Sequence, residues 1–423
     1  MENIFCIPEE CSCGRKHAVL TGVCVLKENV HIDLLKWLKE NEYKKVAVFC
    51  DENTAKYIVN FESAADICVL KGNVHATEVY AAEAIEYTKK QNAEILIACG
   101  SGSIHDITRY TAHELNLPFV SYPTAASVDG FMSGIAAMTW YGQKHSFPST
   151  PPIAVFADHT VCAQAPERLT ASGVGDVLGK YVSLFDWEVA NILTGEYICD
   201  TIKQLTNDAV TEVRKAIANR GKLSHLDYTR NVLYALLISG LAIQLTGNSR
   251  PCSASEHHMS HIWEMELINK ETDGLHGEQV AIGTLLVMDK YDKAMKQGLD
   301  YNKIRNIDLV KVFDPDYLEP VYGKLTEGIR KENMPKGTPE SSSLLGIRIN
   351  DEKAVDEAIR AAYAKIPSIE ELRELMQKAD CVTKLSDIDL PDDPAFIEKS
   401  LQYAPYVRDR LTLLKILEAC NRN

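Results

Sequence analysis

The stretch EILIACGSGSIHD, Glu94 to Asp106, passes from an apolar, partly β-branched run straight into Gly100-Ser101-Gly102 and then into residues at helical spacing. The pattern predicts a strand over Glu94–Cys99 and a helix from about Ile104 to Leu115. The turn between them suits an anion. Small residues let a ligand approach the backbone, and the N–H groups at a helix start point at negative charge. It is not the ordinary dinucleotide fingerprint, because G-x-G-x-x-G needs glycine at position 105 and His105 stands there. On its own the turn is weak evidence, the alternative being a tight strand-to-helix connection with no ligand.

Upstream, KVAVFC (Lys45–Cys50, ending at Asp51) and DICVL (Asp66–Leu70) read as strands, and VYAAEAIEYTKKQ (Val79–Gln91) has helical spacing. Downstream, PFVSY (Pro118–Tyr122) reads as a strand that ends in PTAASVDG (Pro123–Gly130). Strands alternating with helices on this rhythm predict an α/β domain with a parallel, Rossmann-like sheet. Ligands of such sheets lie beyond the carboxyl ends of the strands, so both turns are expected to face one site. The hydroxyls of Thr124 and Ser127 would meet a cofactor there, and Asp129 would accept from a substrate hydroxyl. The plainer alternative is an Asx or Ser/Thr turn that caps the next segment.

Near Trp140 the rhythm changes. GQKHSFPSTPP (Gly142–Pro152) predicts a loop or hairpin, and one more strand follows at Ile153–Phe156. Beyond it nearly everything is helix-like, with a second loop at NMPKGTPESSS (Asn333–Ser343). The expectation is an α/β nucleotide-binding domain over residues 1–160 and an all-α domain over residues 161–423 that binds metal and substrate.

The 423 residues carry a formal net charge of -14, with 46% hydrophobic and 25% charged residues. That acidic balance argues against nucleic acid or an anionic membrane as the main partner. The longest apolar run, VLYALLISGLAIQL (Val232–Leu245), is too short to span a bilayer and predicts a buried helix. MENIFCIPEECSCGRKH at the start has no basic-then-apolar leader, so a cytoplasmic chain with its 12 cysteines reduced is expected. Cys11 and Cys13, with His17 nearby, lack the second half of a zinc site and are not expected to bind metal.

Three stretches with acidic or imidazole residues stand out in the helical half. Asp176 lies in SGVGDVLGKY, His257, His258 and His261 lie in SASEHHMSHIW, and His276 lies in GLHGEQVAIG. On a helix His257 and His261 share a face while His258 points elsewhere. Two imidazoles and a carboxylate would leave open positions on a divalent ion, the pattern of a catalytic rather than a structural site. With no thiolate among them the set suits zinc, nickel or iron(II).

GSGSIHD, YPTAASVDGFMSG, SGVGDVLGKY, GNSRPCSASEHHMSH and LHGEQVAIGTLL follow one another in this order. Together they resemble the sn-glycerol-1-phosphate dehydrogenases, in particular their bacterial branch. That family lies within the wider group of dehydroquinate synthases, glycerol dehydrogenases and iron-containing alcohol dehydrogenases. The resemblance implies a dehydroquinate synthase-like architecture with NAD or NADP in a cleft between two domains. It places Gly102, Ser103, Ile104, His105 and Asp106 at the pyrophosphate. Thr124, Ala125, Ala126, Ser127 and Ser133 would also meet the cofactor, and Asp51 its adenosine ribose. Asp176, His257 and His276 match the metal ligands, although His258 beside His257 leaves open which imidazole binds. Asp129, His261 and Asp176 match catalytic, substrate-contacting positions.

The implied reaction is reversible reduction of dihydroxyacetone phosphate to sn-glycerol 1-phosphate, with a small phosphorylated triose as substrate. Arg250 and Lys180 are candidates for its phosphate by sequence proximity alone. The alternative is a glycerol or other polyol dehydrogenase on the same metal. A homo-oligomer, a dimer first, is expected of a chain of this size, although no segment marks an interface. Residues beyond about 345 match nothing that informs function.

Overall fold

The computed structural model describes residues 11–61, 63–338 and 342–422. Residues 1–10 and part of the Asn333–Ser343 loop therefore lie outside the described residues. Contacts divide the chain into two units: residues up to 177 with 204–249, and residues 178–203 with 250–423. This division differs from the expected boundary at residue 160, and the first unit takes back a helical segment that the sequence pattern assigned to the second.

The first unit is built on a parallel six-stranded sheet. Its strands are β1 (Val23–Lys27), β2 (Val46–Asp51), β3 (Asp66–Leu70), β4 (Ile95–Gly100), β5 (Phe119–Pro123) and, after a hairpin, β8 (Ala154–Asp158), in the order β1-β8-β5-β4-β2-β3. Period-two alternation explains why both faces are covered. Val46, Val48, Cys50, Ile95, Ile97 and Val120 face one way, toward α1 (Val30–Glu40). Ala47, Phe49, Leu96, Ala98 and Phe119 face the other way, toward α2 (Glu78–Gln91) and α3 (Gly102–Glu114). The polar stretch after Trp140 is a hairpin, β6 (Ile135–Trp140) with β7 (Gln143–Pro148). Its two central residues, Tyr141 and Gly142, both have positive φ, the two-residue turn that matches strand twist.

The short helix α4 (His159–Cys162) and helix α5 (Glu167–Leu178) follow β8. Helix α6 (Lys180–Thr194) belongs to the second unit, and α7 (Asp200–Asn219) runs unbroken across the division into the first. The apolar run at Val232–Leu245 is the core of α8 (His225–Thr246), buried along most of its length. This helix packs on the loop after β5, and at Gly240 a Cβ would stand 2.3 Å from the Asp129 carbonyl oxygen.

In the second unit α9 (Ser255–Glu264) packs against α6 and against α10 (His276–Gln297). A buried carboxylate ties these helices to the C-terminal segment. Asp186 accepts from the Ser255 hydroxyl at 2.7 Å, the Tyr291 hydroxyl at 2.8 Å and the Leu413 amide at 2.8 Å. Burial nevertheless pushes its carboxyl up to about 6. Among the described residues no helix is long and apolar enough to cross a membrane.

Candidate active site

In the first unit β4 and β5 run in register with Gly100 opposite Pro123, and the Thr124 amide donates to the Gly100 carbonyl at 3.0 Å. The turns that begin at Gly100 and Thr124 therefore lie side by side at the carboxyl end of the sheet. Asp51 ends β2, the other neighbour of β4, and its Oδ1 accepts from the Thr54 amide at 2.8 Å and hydroxyl at 2.9 Å. Ser101 precedes α3 in extended conformation without a side-chain cap, so the first N–H groups of that helix face the turn uncapped. The Ser127 hydroxyl is buried and has no hydrogen-bond partner among the described residues. Uncapped amides beside an orphaned hydroxyl fit a nucleotide phosphate.

Other expected cofactor positions are occupied differently. Ile104 and His105 turn their side chains into the core, leaving only backbone for a ligand. His105 bridges the Ser101 carbonyl at 2.9 Å and the Ser121 hydroxyl at 2.8 Å, and burial drives its imidazole down to about 3. Ala125 and Ala126 are buried. The Ser133 hydroxyl accepts from the Ile135 amide at 2.9 Å and so shapes the start of β6. Asp106 pairs with Arg109 at 2.5 Å.

Arg109 carries a role that motif reading missed. Fully buried, it also donates to the carbonyls of Gly130 and Ile135, pinning α3 to the loop that carries Asp129. On that loop Asp129 is held from two sides. Its Oδ2 accepts from Ser239 of α8 at 2.9 Å, and its amide donates to Asp176 Oδ2 at 3.1 Å. Asp129 and Asp176, 47 residues apart, thus share one buried hydrogen bond.

In the second unit three imidazoles converge. The ring centroids of His257 and His276 are 5.2 Å apart, and His261 stands 6.2 Å from His257 and 6.1 Å from His276. The candidate ligand nitrogens of His257 and His276 lie within 4.8 Å of each other. A carboxylate holds each of these two rings by Nδ1: Glu256 Oε1 at 2.7 Å from His257 and Glu264 Oε1 at 2.8 Å from His276. Nδ1 then donates and Nε2 presents its lone pair, the outer-shell arrangement typical of metal-binding histidines. This donor set fits a divalent cation. His258 differs, for both its ring nitrogens are buried without a partner among the described residues and burial pushes its pKa well down.

The cations proposed for substrate phosphate have other work. Arg250 pairs with Glu196 at 2.8 Å and donates to the carbonyls of Asp186 and Leu411. The Lys180 ammonium donates to the Cys252 carbonyl at 2.9 Å. Sequence proximity misled here because both side chains are buried into the framework before α9. The C-terminal segment, silent in sequence, supports that same helix. Arg410 donates to the Ser253 carbonyl, and Trp263 of α9 donates to Ser400 at 3.0 Å.

The chain is 31% identical to the glycerol-1-phosphate dehydrogenase (NAD(P)+) of Bacillus licheniformis, over 96% of this chain and 91% of the relative. The chain belongs to the glycerol-1-phosphate dehydrogenase family. A second relative of the same name, from Geobacillus stearothermophilus, is 29% identical over 99% of this chain and 97% of its own length. Near-full-length matches of this kind support the bacterial branch of the family. Residues 25–166 match the family described as iron-containing alcohol dehydrogenase. Among solved structures, a probable glycerol dehydrogenase from Sinorhizobium meliloti 1021 shares the fold, with a TM-score of 0.62 at 17% identity over 95% of this chain and 96% of that one.

Proposed function

We propose that the chain catalyses the reversible NAD(P)-dependent reduction of dihydroxyacetone phosphate to sn-glycerol 1-phosphate at a divalent metal held by Asp176, His257 and His276. The observation that carries this reading is the convergence of His257 and His276, each with Nδ1 held by a glutamate. Zinc, nickel and iron(II) all suit the ligand set. When bound, the metal supplies the Lewis acidity that polarises the ketone, and the nicotinamide carries the hydride.

The chain's own residues orient and protonate. Glu256 and Glu264 keep both imidazoles in the tautomer that ligation needs. The Asp129 amide holds one oxygen of Asp176, fixing the carboxylate as a ligand. The Asp129 carboxylate, oriented by Ser239, accepts from a substrate hydroxyl. His261, one turn along α9 from His257, contacts the substrate oxygen and relays its proton. The uncapped start of α3 and the Ser127 hydroxyl receive the cofactor phosphates, with the carboxylate of Asp51 on the ribose.

Substrate comparison tests the phosphate. Glycerol 1-phosphate should be oxidised with a kcat/KM far above that for glycerol. Equal values would assign the same metal site to a polyol dehydrogenase instead.

A further inference from the structure

His258 is the buried side chain that the dehydrogenase reading leaves unused. It follows the proposed metal ligand His257 on α9 and is 0% exposed. Neither of its ring nitrogens has a hydrogen-bond partner among the described residues. An imidazole keeps a proton on at least one nitrogen, so the ring carries a buried N–H donor that lacks an acceptor. A group of this kind in a folded protein calls for a ligand or an ordered water.

The surroundings favour a negatively charged acceptor. In the second unit α9 packs against the turn Ala404–Val407 and the last helix, Leu413–Asn421. Two bonds tie the chain before α9 to the chain between those two elements. Arg410 donates to the Ser253 carbonyl, and Arg250 donates to the Leu411 carbonyl at 2.6 Å. Arg408 and Lys415 lie along the same stretch, both buried. Burial holds the His258 ring well below its ordinary pKa, and the charges of Arg410, Arg408, Lys415 and Arg250 add to this. The cations also crowd one another: burial, with Arg250 and Arg408 nearby, draws the Arg410 guanidinium down to about 9. A water would satisfy the ring but leave that crowding, and a metal cation would add to it. An anion relieves both.

Carboxylates share the space. Arg250 pairs with Glu196 at 2.8 Å and Lys415 with Asp409 at 3.1 Å. Arg408 feels the charge of Glu332 and Glu264, and Arg410 that of Glu196 and Glu256. Glu256 and Glu264 are the residues that hold His257 and His276 by Nδ1, so both arginines stand near the proposed metal ligands. A triose phosphate is short, and its phosphate has to bind near the metal that takes its ketone. A guanidinium has five donors in one plane and can add phosphate oxygens to the bonds it already makes. We propose that His258, Arg408 and Arg410 form a phosphate pocket, which on the reading above receives the phosphate of the triose substrate.

Calorimetric titration of the full-length protein with inorganic phosphate tests the pocket without turnover. The wild type should bind phosphate, and Arg410→Met and His258→Phe should each weaken that binding by about tenfold or more. Kinetics test its occupant. The ratio of kcat/KM for dihydroxyacetone phosphate to that for dihydroxyacetone should fall about 100-fold in Arg408→Met and Arg410→Met. Arg410→Lys, which keeps the charge but not the planar fork, should recover part of the loss. A structural role alone would lower both substrates in step. In an enzyme that prefers the phosphorylated ketone, an unchanged ratio would therefore overturn the inference. So would variants that bind inorganic phosphate as tightly as wild type, or a wild type that does not bind it, even if every variant failed to fold. Phosphate binding that the variants lose, in a protein that reduces neither ketone or both equally well, would uphold the pocket and count against the dehydrogenase reading instead.

Discussion

His105 stands where the ordinary dinucleotide turn would carry its third glycine, and the structure explains the exchange. Its ring fills space between α3 and β5, bonded at both nitrogens, so it is a core residue on a ligand-facing turn. The sequence shows the missing glycine plainly, but not which way the ring points, because that depends on Ser121 one strand away. A pH dependence follows. An unfolded chain takes up a proton on this histidine near its ordinary pKa of 6.5, while the folded chain resists until about 3. Between those values the unfolded state binds more protons, so stability contributed by His105 is present above pH 6.5 and is lost as pH falls. The loss is about 1.4 kcal/mol per pH unit. Denaturant unfolding of His105→Asn from pH 6.5 to 5 should show a slope shallower than wild type by about that amount.

Arg109 belongs to the same scale. Its spacing from Asp106 is readable as a helical ion pair, whereas its bonds to Gly130 and Ile135 are tertiary and leave no mark in sequence. Arg109→Ala removes a buried charge-paired side chain that holds two loop carbonyls. It should cost about 3 kcal/mol in urea unfolding.

At the scale of elements, strands and helices with a clear period were legible: β2, β3, β4, β5, α2 and α3 lie close to their expected places. The first strand, β1, escaped because VCVLK is five residues long and gains its meaning only from pairing with β8, about 130 residues later. The polar hairpin of β6 and β7 was open between loop and strand for a related reason. Its one apolar contact face is set by α3, not by its own pattern. Helix α8 was legible as a buried helix, yet its purpose was not. It supplies Ser239 to Asp129 and brings Gly240 against the backbone of the same loop. Gly240→Ala is therefore a discriminating change. Helix propensity alone favours alanine by about 1 kcal/mol, but here the methyl group must displace the Asp129 carbonyl. A net loss of about 2 kcal/mol, with a fall in kcat/KM, is expected. Denaturation and steady-state kinetics on the same preparation check both.

For the whole molecule, the two-part plan was legible from the change in rhythm near Trp140, but its boundary was not. Contacts carry the first unit to residue 177 and return residues 204–249 to it, a discontinuity that no local pattern announces. A candidate set of metal ligands could be named from residue types alone. What sequence lacked was the reason to choose between neighbouring histidines. Glu256 bonded to His257, and a His258 ring buried without a partner among the described residues, favour His257 by geometry. The C-terminal segment was silent because its contribution consists of contacts to the frame around α9. A metal-assisted reduction of dihydroxyacetone phosphate draws on the whole molecule, and one assay decides for or against it. NADH or NADPH consumption with dihydroxyacetone phosphate is followed in metal-replete protein, beside His276→Ala with its metal content measured. Turnover that chelation abolishes and divalent metal restores is expected, together with a variant that loses metal and activity at once. Absence of turnover with either nicotinamide, or full metal retention by His276→Ala, would contradict it.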